Sequence, residues 1–471
     1  MSYLLRSLLV LALAASGSWA PAQTRPPKKP AAPAAAVPVE APPSSRCNED
    51  DAGLSRMGRD MNTLETGSGD PRSELQALVG KTLSRSKGVG ALRAYSEAAR
   101  QDLLDAQAQS GPSASLNIST TGVRLSTGSS YTATGGQYAA TLSAGMPLWD
   151  AGRVAKLSEW RKELATVAEQ GQRSSEEQLA LTVVSLALDR SRYVLQGQVY
   201  TQYVRKMACL VDALEIITKA DRGRASELVQ AQKSLQQADM SLEQTLSALR
   251  QTEVRLKRLV GEPLPPSIGM TPALSLMPDL EQMQSDILMG PDIAQVEAQA
   301  RSQRSLAEAV IAGQRPSVNL TGSMAAALRP TASGDVRTTD IGAGVSITIP
   351  ILQPGAQAQA SAAMQRYRAT VLQKDDAVEA KRYRLLEMHE LGTSTLDRAR
   401  RIVEILRNSD RVRASTLQQW QQLGRRSLFD VMAAESDYYS MRVAHVNAMF
   451  DAQQVVALIW SMGRGVVTPL R

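Results

Sequence analysis

Residues 223–226 read Gly223-Arg224-Ala225-Ser226, and residues 424–427 read Gly424-Arg425-Arg426-Ser427, 201 positions later. Each segment begins a helical pattern that ends at a further glycine, Gly261 in the first case and Gly463 in the second. Repetition at one long offset, in the same order, indicates two structural repeats in tandem. Upstream landmarks recur at offsets of 202 or 203, namely Gly88 and Gly290, Asn117 and Asn319, and Pro147 and Pro350.

The composition favours long helices packed side by side over several globular domains. Aromatic residues make up only 4% of the 471 residues, although large globular cores are usually filled by them. Long coiled coils pack instead on small and aliphatic residues. The formal net charge of +7 is not gathered into any run of five basic residues. We therefore expect no nucleic-acid partner.

The first residues have the features of export. Arg6 precedes an apolar stretch at 8–15 and the small-residue segment Ala20-Pro21-Ala22, so residues 1–22 are predicted to be a secretory signal peptide. Residues 23–45 are rich in Pro and Ala and are predicted to form an extended tether. No run of about 18 apolar residues follows, so any membrane insertion is expected to come from strands.

Two stretches alternate with the period of a strand. In residues 341–351, Ile, Ala and Val at odd positions alternate with Gly342, Gly344, Ser346 and Thr348. In residues 138–148, apolar residues at even positions alternate with Thr141, Ser143 and Gly145. Strands of about ten residues can cross a bilayer at a tilt. The predicted β-hairpins span about 114–148 and 317–351, with Gly/Ser/Thr-rich connections at 126–136 and 329–339.

Long helical patterns follow each hairpin, at 153–222 and 355–423, with no proline in either interior. At 1.5 Å per residue each would be about 100 Å long. Apolar residues at heptad spacing, many of them small, predict close antiparallel packing. Gly223 and Gly424 are expected at the turns, with a positive φ. The repeats are assigned to 46–270 and 271–471, with return helices at 224–260 and 425–462 and a helix at 291–314 before the second hairpin.

The strands predict an assembly of several copies. An open four-stranded sheet cannot stand in lipid because its edges leave backbone groups unpaired. Bacterial membrane barrels begin at eight strands. Three chains would supply twelve strands, and their helices would continue the wall as a tube. The expected fold class is therefore mainly α with a small transmembrane β part, in two tandem repeats of long antiparallel helices and a β-hairpin.

The segment Pro147-Leu148-Trp149-Asp150-Ala151-Gly152-Arg153 resembles the strand-to-helix motif P-L-[FW]-D-x-G-R of the TolC-like outer-membrane efflux proteins. The tip segment from Gly424 to Val431 and the closing Gly463 also resemble that family, and the resemblance extends over about residues 75–465. It implies a homotrimer in outer-membrane lipid, in which a 12-stranded β-barrel is continued by a periplasmic α-barrel. The same resemblance implies that this trimer acts as a passive exit duct. It also implies a periplasmic adaptor (a membrane fusion protein) and an inner-membrane transporter, in tripartite efflux or type I secretion.

The resemblance also suggests where the periplasmic aperture lies. In the family two acidic residues three apart on the helix after the second tip narrow this aperture; the matching positions are Asp430 and Ala433, so one acidic ring is expected. Glu227 lies near the aligned position of the first repeat. The alternative interpretation of Asp430 is an exposed acidic residue in the first turn of a helix, where the helix dipole stabilises its negative charge. The candidate adaptor-docking residues at the tips are Gly223, Arg224, Ser226, Gly424, Arg425, Arg426 and Ser427.

Cys47 and Cys209 are the two cysteines. In an oxidising compartment they could pair, which would tie the tether to a distant helix. A free Cys47 with a buried Cys209 is the alternative, because sequence cannot show proximity.

Residues for catalysis are lacking. The two histidines, His389 and His445, belong to no metal-binding motif, and no nucleophile elbow or P-loop occurs. We therefore expect no enzyme activity, no cofactor and no metal. The alternative function is a soluble periplasmic coiled-coil adaptor or scaffold, a class that would not need four alternating strands.

Overall fold

A computed structural model describes residues 70–127, 131–265, 273–274, 276–331, 334–423 and 427–470. The predicted signal peptide and tether, Cys47, and the tip residues Gly424, Arg425 and Arg426 lie outside these residues. The predictions made for them are therefore not addressed by the structure.

The described chain is mainly helical and carries one small antiparallel sheet, which confirms the predicted fold class at the level of a single chain. Both repeats have the order helix, strand, strand, long helix, return helix. The helices are α1 Pro71–Arg85, α2 Lys87–Ala108, α3 Arg153–Ala220, α4 Ala225–Val260, α5 Leu280–Asp286, α6 Pro291–Ala312, α7 Ala356–Leu423 and α8 Leu428–Met462. The strands are β1 Ser113–Thr127, β2 Tyr131–Trp149, β3 Ser317–Thr331 and β4 Gly334–Thr348.

The helical pattern of residues 75–109 is divided at Ser86 into α1 and α2. The Ser86 hydroxyl accepts a hydrogen bond from the backbone N–H of Val89 at 3.3 Å, and so caps the start of α2. Serine competes well for helix N-termini because its side chain replaces a missing backbone partner. The local capping group thus divides one amphipathic pattern into two helices.

The sheet has the strand order β1-β2-β3-β4, with all pairs antiparallel. Its strands are 15 to 19 residues long, so the expected length of about ten residues is wrong. Most of the predicted connections at 126–136 and 329–339 are strand. Thr favours strands, and the ladder bonds are made by the backbone, so small side chains do not end the pairing.

A β-bulge changes the side-chain alternation at the end of β2. Pro147 pairs with Asn319, and Trp149 pairs with the next residue, Val318, so Leu148 is the extra residue. An inserted residue moves those that follow to the other face of a strand. Trp149 therefore shares the apolar face with Val318 and its β4 partner Ile347. The predicted alternation through Leu148 is wrong at this position.

The helices lie side by side in two layers of four, one in the half of the molecule nearest the sheet and one in the half remote from it. In the half nearest the sheet the lateral order is α2-α3-α6-α7, and in the far half it is α4-α3-α8-α7. The edges are thus made by first-repeat helices, α2 and α4, on one side and by α7 on the other. The main apolar core lies at mid-length, where α1 packs on α3 and α4. None of the described helices is sufficiently long and apolar to cross a membrane.

Candidate functional sites at the two ends of the molecule

The first tip is a short 3-10 turn, Arg222–Arg224, between α3 and α4. Asp221 accepts a hydrogen bond from the N–H of Gly223 at 2.9 Å and lies 3.8 Å from the Arg224 guanidinium. The expected positive φ at Gly223 is wrong, because it is not among the positive-φ glycines of the described chain. A Cβ on Gly223 would approach the Asp221 carboxylate to 3.1 Å. The exposed Asp221 side chain would have to shift by a few tenths of an ångström to admit it.

The second tip begins α8 with a capping box. The N–H of Asp430 donates to the Ser427 hydroxyl at 3.3 Å, and the N–H of Ser427 donates to the Asp430 carboxylate at 3.2 Å. This reciprocal arrangement satisfies two backbone donors of the first helical turn. The structure therefore places Asp430 as a partly buried capping acid. Its role at an aperture stays a prediction.

The structure brings the first turns of α4 and α8 against one apolar cluster. Leu428 and Val431 of α8 and Ala231 of α4 pack around Leu214 near the end of α3. Glu227 lies in the first turn of α4, and its Oε2 is buried with no hydrogen-bond partner in the described chain. Ser226 is exposed and does not cap α4. Ser226 and Ser427 thus occupy equivalent positions of the repeats with different roles.

A buried polar cluster behind the tips was missed by the sequence reasoning. The Glu435 carboxylate is 0% exposed and lies 3.7 Å from the Arg413 guanidinium of α7. Arg442, 3% exposed, donates to Gln202 of α3, and its guanidinium lies 5.7 Å from the Tyr439 ring. Burial raises the pKa of the Tyr439 hydroxyl, so the ring stays neutral.

This cluster holds three helices in one register, because each charge must meet its partner when it leaves water. Glu435 follows Val431 by four positions, and Arg442 follows Tyr438 by four positions. That spacing places them on the same helix face. This spacing was the feature of the sequence from which the buried polar cluster could have been predicted.

The two faces of the sheet differ in polarity. The registers align Leu116, Leu142, Met324 and Ile341 in one row across the four strands. On the single chain these side chains are exposed, Ile341 to 76%. The opposite face carries small polar residues, among them Asn117, Thr141, Ser143, Asn319, Thr321, Ser323 and Ser346.

The apolar face has the height of a bilayer core. Its rows run from Ile347, aligned through Val318 with Trp149, to Arg337, aligned through Leu328 with Tyr138. These rows are ten residues apart on β4, or about 33 Å along the strand. At the tilt of membrane barrels this corresponds to a band of about 25 Å. An aromatic residue stands at each boundary.

The structure describes one of the two cysteines. Cys209 on α3 is disulfide-bonded, whereas Cys47 lies outside the described residues, so their pairing stays a prediction. Among the described residues, no group of three His, Cys, Asp or Glu side chains could hold a metal ion.

No family model and no curated protein sequence match this chain. Solved structures do match it. CusC, described as forming a transmembrane channel, is 19% identical with a TM-score of 0.72, over 85% of this chain and 95% of CusC. VceC, an outer membrane protein of Vibrio cholerae, is 16% identical with a TM-score of 0.70, over 83% of this chain and 96% of VceC.

The open state of the MtrE outer membrane channel of Neisseria gonorrhoeae is 18% identical with a TM-score of 0.70, over 84% of this chain and 90% of MtrE. The fold is that of outer-membrane channels. The alignments extend over 90% to 96% of the length of these three channels. The two ends described above are therefore the ends of a channel fold.

Proposed function

We propose that this chain belongs to the TolC-like outer-membrane channels and acts as a homotrimeric exit duct. It passively conducts cargo that an inner-membrane transporter and a periplasmic adaptor deliver, in tripartite efflux or type I secretion. The observation that carries the proposal is that sheet and helices alike form layers four elements wide, each with two open edges.

The open edges of the sheet call for further copies. Within the described residues, β1 and β4, each of 15 residues, have a ladder partner on one side only. Unpaired backbone groups cost several kcal/mol each in lipid. Pairing β1 of one copy with β4 of the next satisfies both edges, and three copies close a barrel of twelve strands.

The helical edges support the same head-to-tail contact. Tyr95 on α2 is 70% exposed and Val254 on α4 is 67% exposed, and both belong to the first repeat. On the opposite edge, Leu372 and Tyr383 of α7 are similarly exposed. Different surfaces meeting head to tail generate closed rings when the rotation closes. Helices and strands would thus close the same ring.

The sheet supports insertion in the outer membrane. Its apolar face is exposed on the single chain and is bounded by Trp149 and Tyr138, and aromatic residues are enriched at both bilayer interfaces. The small polar face would then line a wet passage. The alternative, a soluble periplasmic adaptor or scaffold, would leave this apolar face in water.

The distal tips are the proposed periplasmic docking region. They carry the candidate adaptor contacts Gly223, Arg224, Ser226, Gly424, Arg425, Arg426 and Ser427. Asp430 and Glu227 are the proposed acidic residues of the aperture, because both stand in the first turn of a return helix. Like charges brought together around an axis favour bound cations.

The proposal is tested by comparing Val345→Asp with Ser346→Asp. Val345 lies on the apolar face and Ser346 on the polar face of the same strand. We expect Val345→Asp to abolish recovery in the outer-membrane fraction and conductance in planar bilayers, because the charge would face hydrocarbon. Ser346→Asp should retain both. Wild-type protein that is monomeric and soluble without detergent would refute the duct.

The aperture is tested separately with Asp430→Asn. Asparagine removes the charge but can still accept the hydrogen bond from Ser427. We expect weaker block of the current by divalent cations. Ser427→Ala is the matched control, because it removes the other half of the capping box and keeps the carboxylate. Divalent block that is unchanged in Asp430→Asn removes Asp430 from the aperture.

A further inference from the structure

Among the described strands, the apolar face of the sheet carries three charged residues, Arg124, Asp335 and Arg337, all at the end remote from the helices, and Arg337 is the one nearest the apolar rows. Arg337 shares this face of β4 with Ile341 and Val345, at the end remote from the helices. It is exposed, and none of the ion pairs within the described part of the chain involves it. Asp335, two residues away on the same strand, makes none with it either.

A hollow lies beside this arginine. It has a volume of about 570 Å³ and is lined by both apolar and polar groups. Ala140 and Ala326, which pair across β2 and β3, supply little side-chain bulk at its floor. Larger side chains surround them, namely Ile118, Tyr138, Leu328 and Arg337. The hollow thus has apolar walls and one cationic corner.

The row positions relate the hollow to the bilayer boundary. Tyr138, Leu328 and Arg337 lie in one row, and Ala140 and Ala326 lie in the next row toward the helices. A charge on the lipid face costs up to about 1 kcal/mol near an interface and much more at the midplane. With the sheet inserted as proposed, Arg337 would lie where head groups begin, and the alanines would lie where acyl chains begin.

We propose that Arg337, Tyr138 and the hollow floored by Ala140 and Ala326 bind a phosphorylated lipid of the outer leaflet. The guanidinium binds the phosphate, for which its planar fork provides two parallel donors. An acyl chain fills the hollow against Ile118 and Leu328. Tyr138 places its ring at the interface, as amphipathic aromatic side chains do. This inference rests on the proposed insertion in the outer membrane.

Arg329 provides a matched control. It lies on β3 in the row next to Leu328 and is also exposed, but it projects from the polar face. Arg329→Gln therefore removes the same charge from the same end of the sheet without touching the hollow. Ala326→Leu tests the apolar part, because it fills the floor and keeps the charge.

The experiment measures retention of phosphorylated lipopolysaccharide by the purified, detergent-solubilised protein, with native mass spectrometry and a titration. We expect Arg337→Gln to weaken binding roughly tenfold or more, the size of a lost charge-assisted hydrogen bond. Ala326→Leu should weaken it several-fold, and Arg329→Gln should stay within about twofold of the wild type. Conductance of every variant is recorded in parallel as a check of folding.

Three outcomes overturn the proposal. Equal losses of lipopolysaccharide binding in Arg337→Gln and Arg329→Gln would show that binding depends on the general positive charge of this end of the sheet and not on the proposed site. Inorganic phosphate that competes as well as the lipid would show that no acyl chain is bound. If the wild-type protein conducts but retains no lipopolysaccharide, the lipid site is refuted and the proposed channel function is not. If the wild-type protein forms no pores, both proposals are refuted.

Discussion

The long helices α3 and α7 occupy equivalent positions of the two repeats and both contain 68 residues, but their surroundings differ. α3 has neighbours on both sides, and its apolar residues Val183, Leu188 and Leu214 are 0% exposed. In the part of the chain that the structure describes, α7 has helices on one side only. Its exposed large apolar residues are Leu372, Tyr383, Leu386, Leu391, Ile405 and Val412.

This difference shows that the duplicated sequence determines the type of each element, whereas the position of the element in the layer determines which of its surfaces are buried. Duplicated segments have similar patterns and therefore similar elements. Only α3 and α8 become inner helices of the far layer, because each is covered from both sides within the chain. The edge helices α4 and α7 keep apolar surface that the ring proposed above would cover. The predictions below contrast inner positions with edge positions.

The largest effect is expected for a core leucine of α3. Leu188→Ala should lower the free energy of unfolding by about 2–5 kcal/mol, because it removes a fully buried side chain and leaves a cavity. Chemical denaturation of the dissociated chain in mild detergent, followed by circular dichroism, measures this. Leu372→Ala on α7 is the control, with an expected change within about 0.5 kcal/mol. Similar losses in both variants would show that α7 is not an edge.

The second prediction contrasts the starts of the return helices. Ser427→Ala should destabilise the protein by about 1 kcal/mol, because it removes the capping box of α8. Ser226→Ala, at the equivalent position of α4, should have no measurable effect, because Ser226 does not cap that helix. Thermal unfolding of both variants provides the test. A loss in Ser226→Ala that equals the loss in Ser427→Ala would contradict the different roles of the tips.

The smallest effect is expected for the pH dependence of the free energy of unfolding that arises from His445 on the inner helix α8. Burial lowers the pKa of the His445 imidazole, whose Nδ1 has no hydrogen-bond partner in the described chain. The neutral imidazole therefore contributes to stability above the pKa that it has in the unfolded state. This contribution is lost as the pH falls through the lower pKa of the folded state. His445→Asn should therefore reduce the loss of stability that accompanies a fall in pH through the ordinary histidine range, by less than the effect of Leu188→Ala or Ser427→Ala.

The measurement is the unfolding midpoint at several pH values. The control is His389→Asn on α7, which changes the other histidine and leaves the buried α8 position intact. A pH dependence in His445→Asn that matches the wild type would exclude His445 as the source of acid sensitivity.

Much of the fold was predictable because it depends on local periodicity. Alternation at two residues predicted the strands, heptad spacing predicted the paired helices, and the long offset predicted the repeats. The candidate tip residues could be named from the repeat and the family resemblance. Their geometry could not, since the close approach of Asp221 to Gly223 arises only once the turn has formed.

The sequence by itself determined the elements, because side-chain period and helix-capping residues act within a few residues along the chain. Only the tertiary structure decided which helices lie inside and which at the edge, and which of two equivalent serines caps its helix. It also decided that Trp149 joins the apolar face, through a register shift against β3. Such features depend on contacts between segments that lie far apart in sequence, and no local pattern records them.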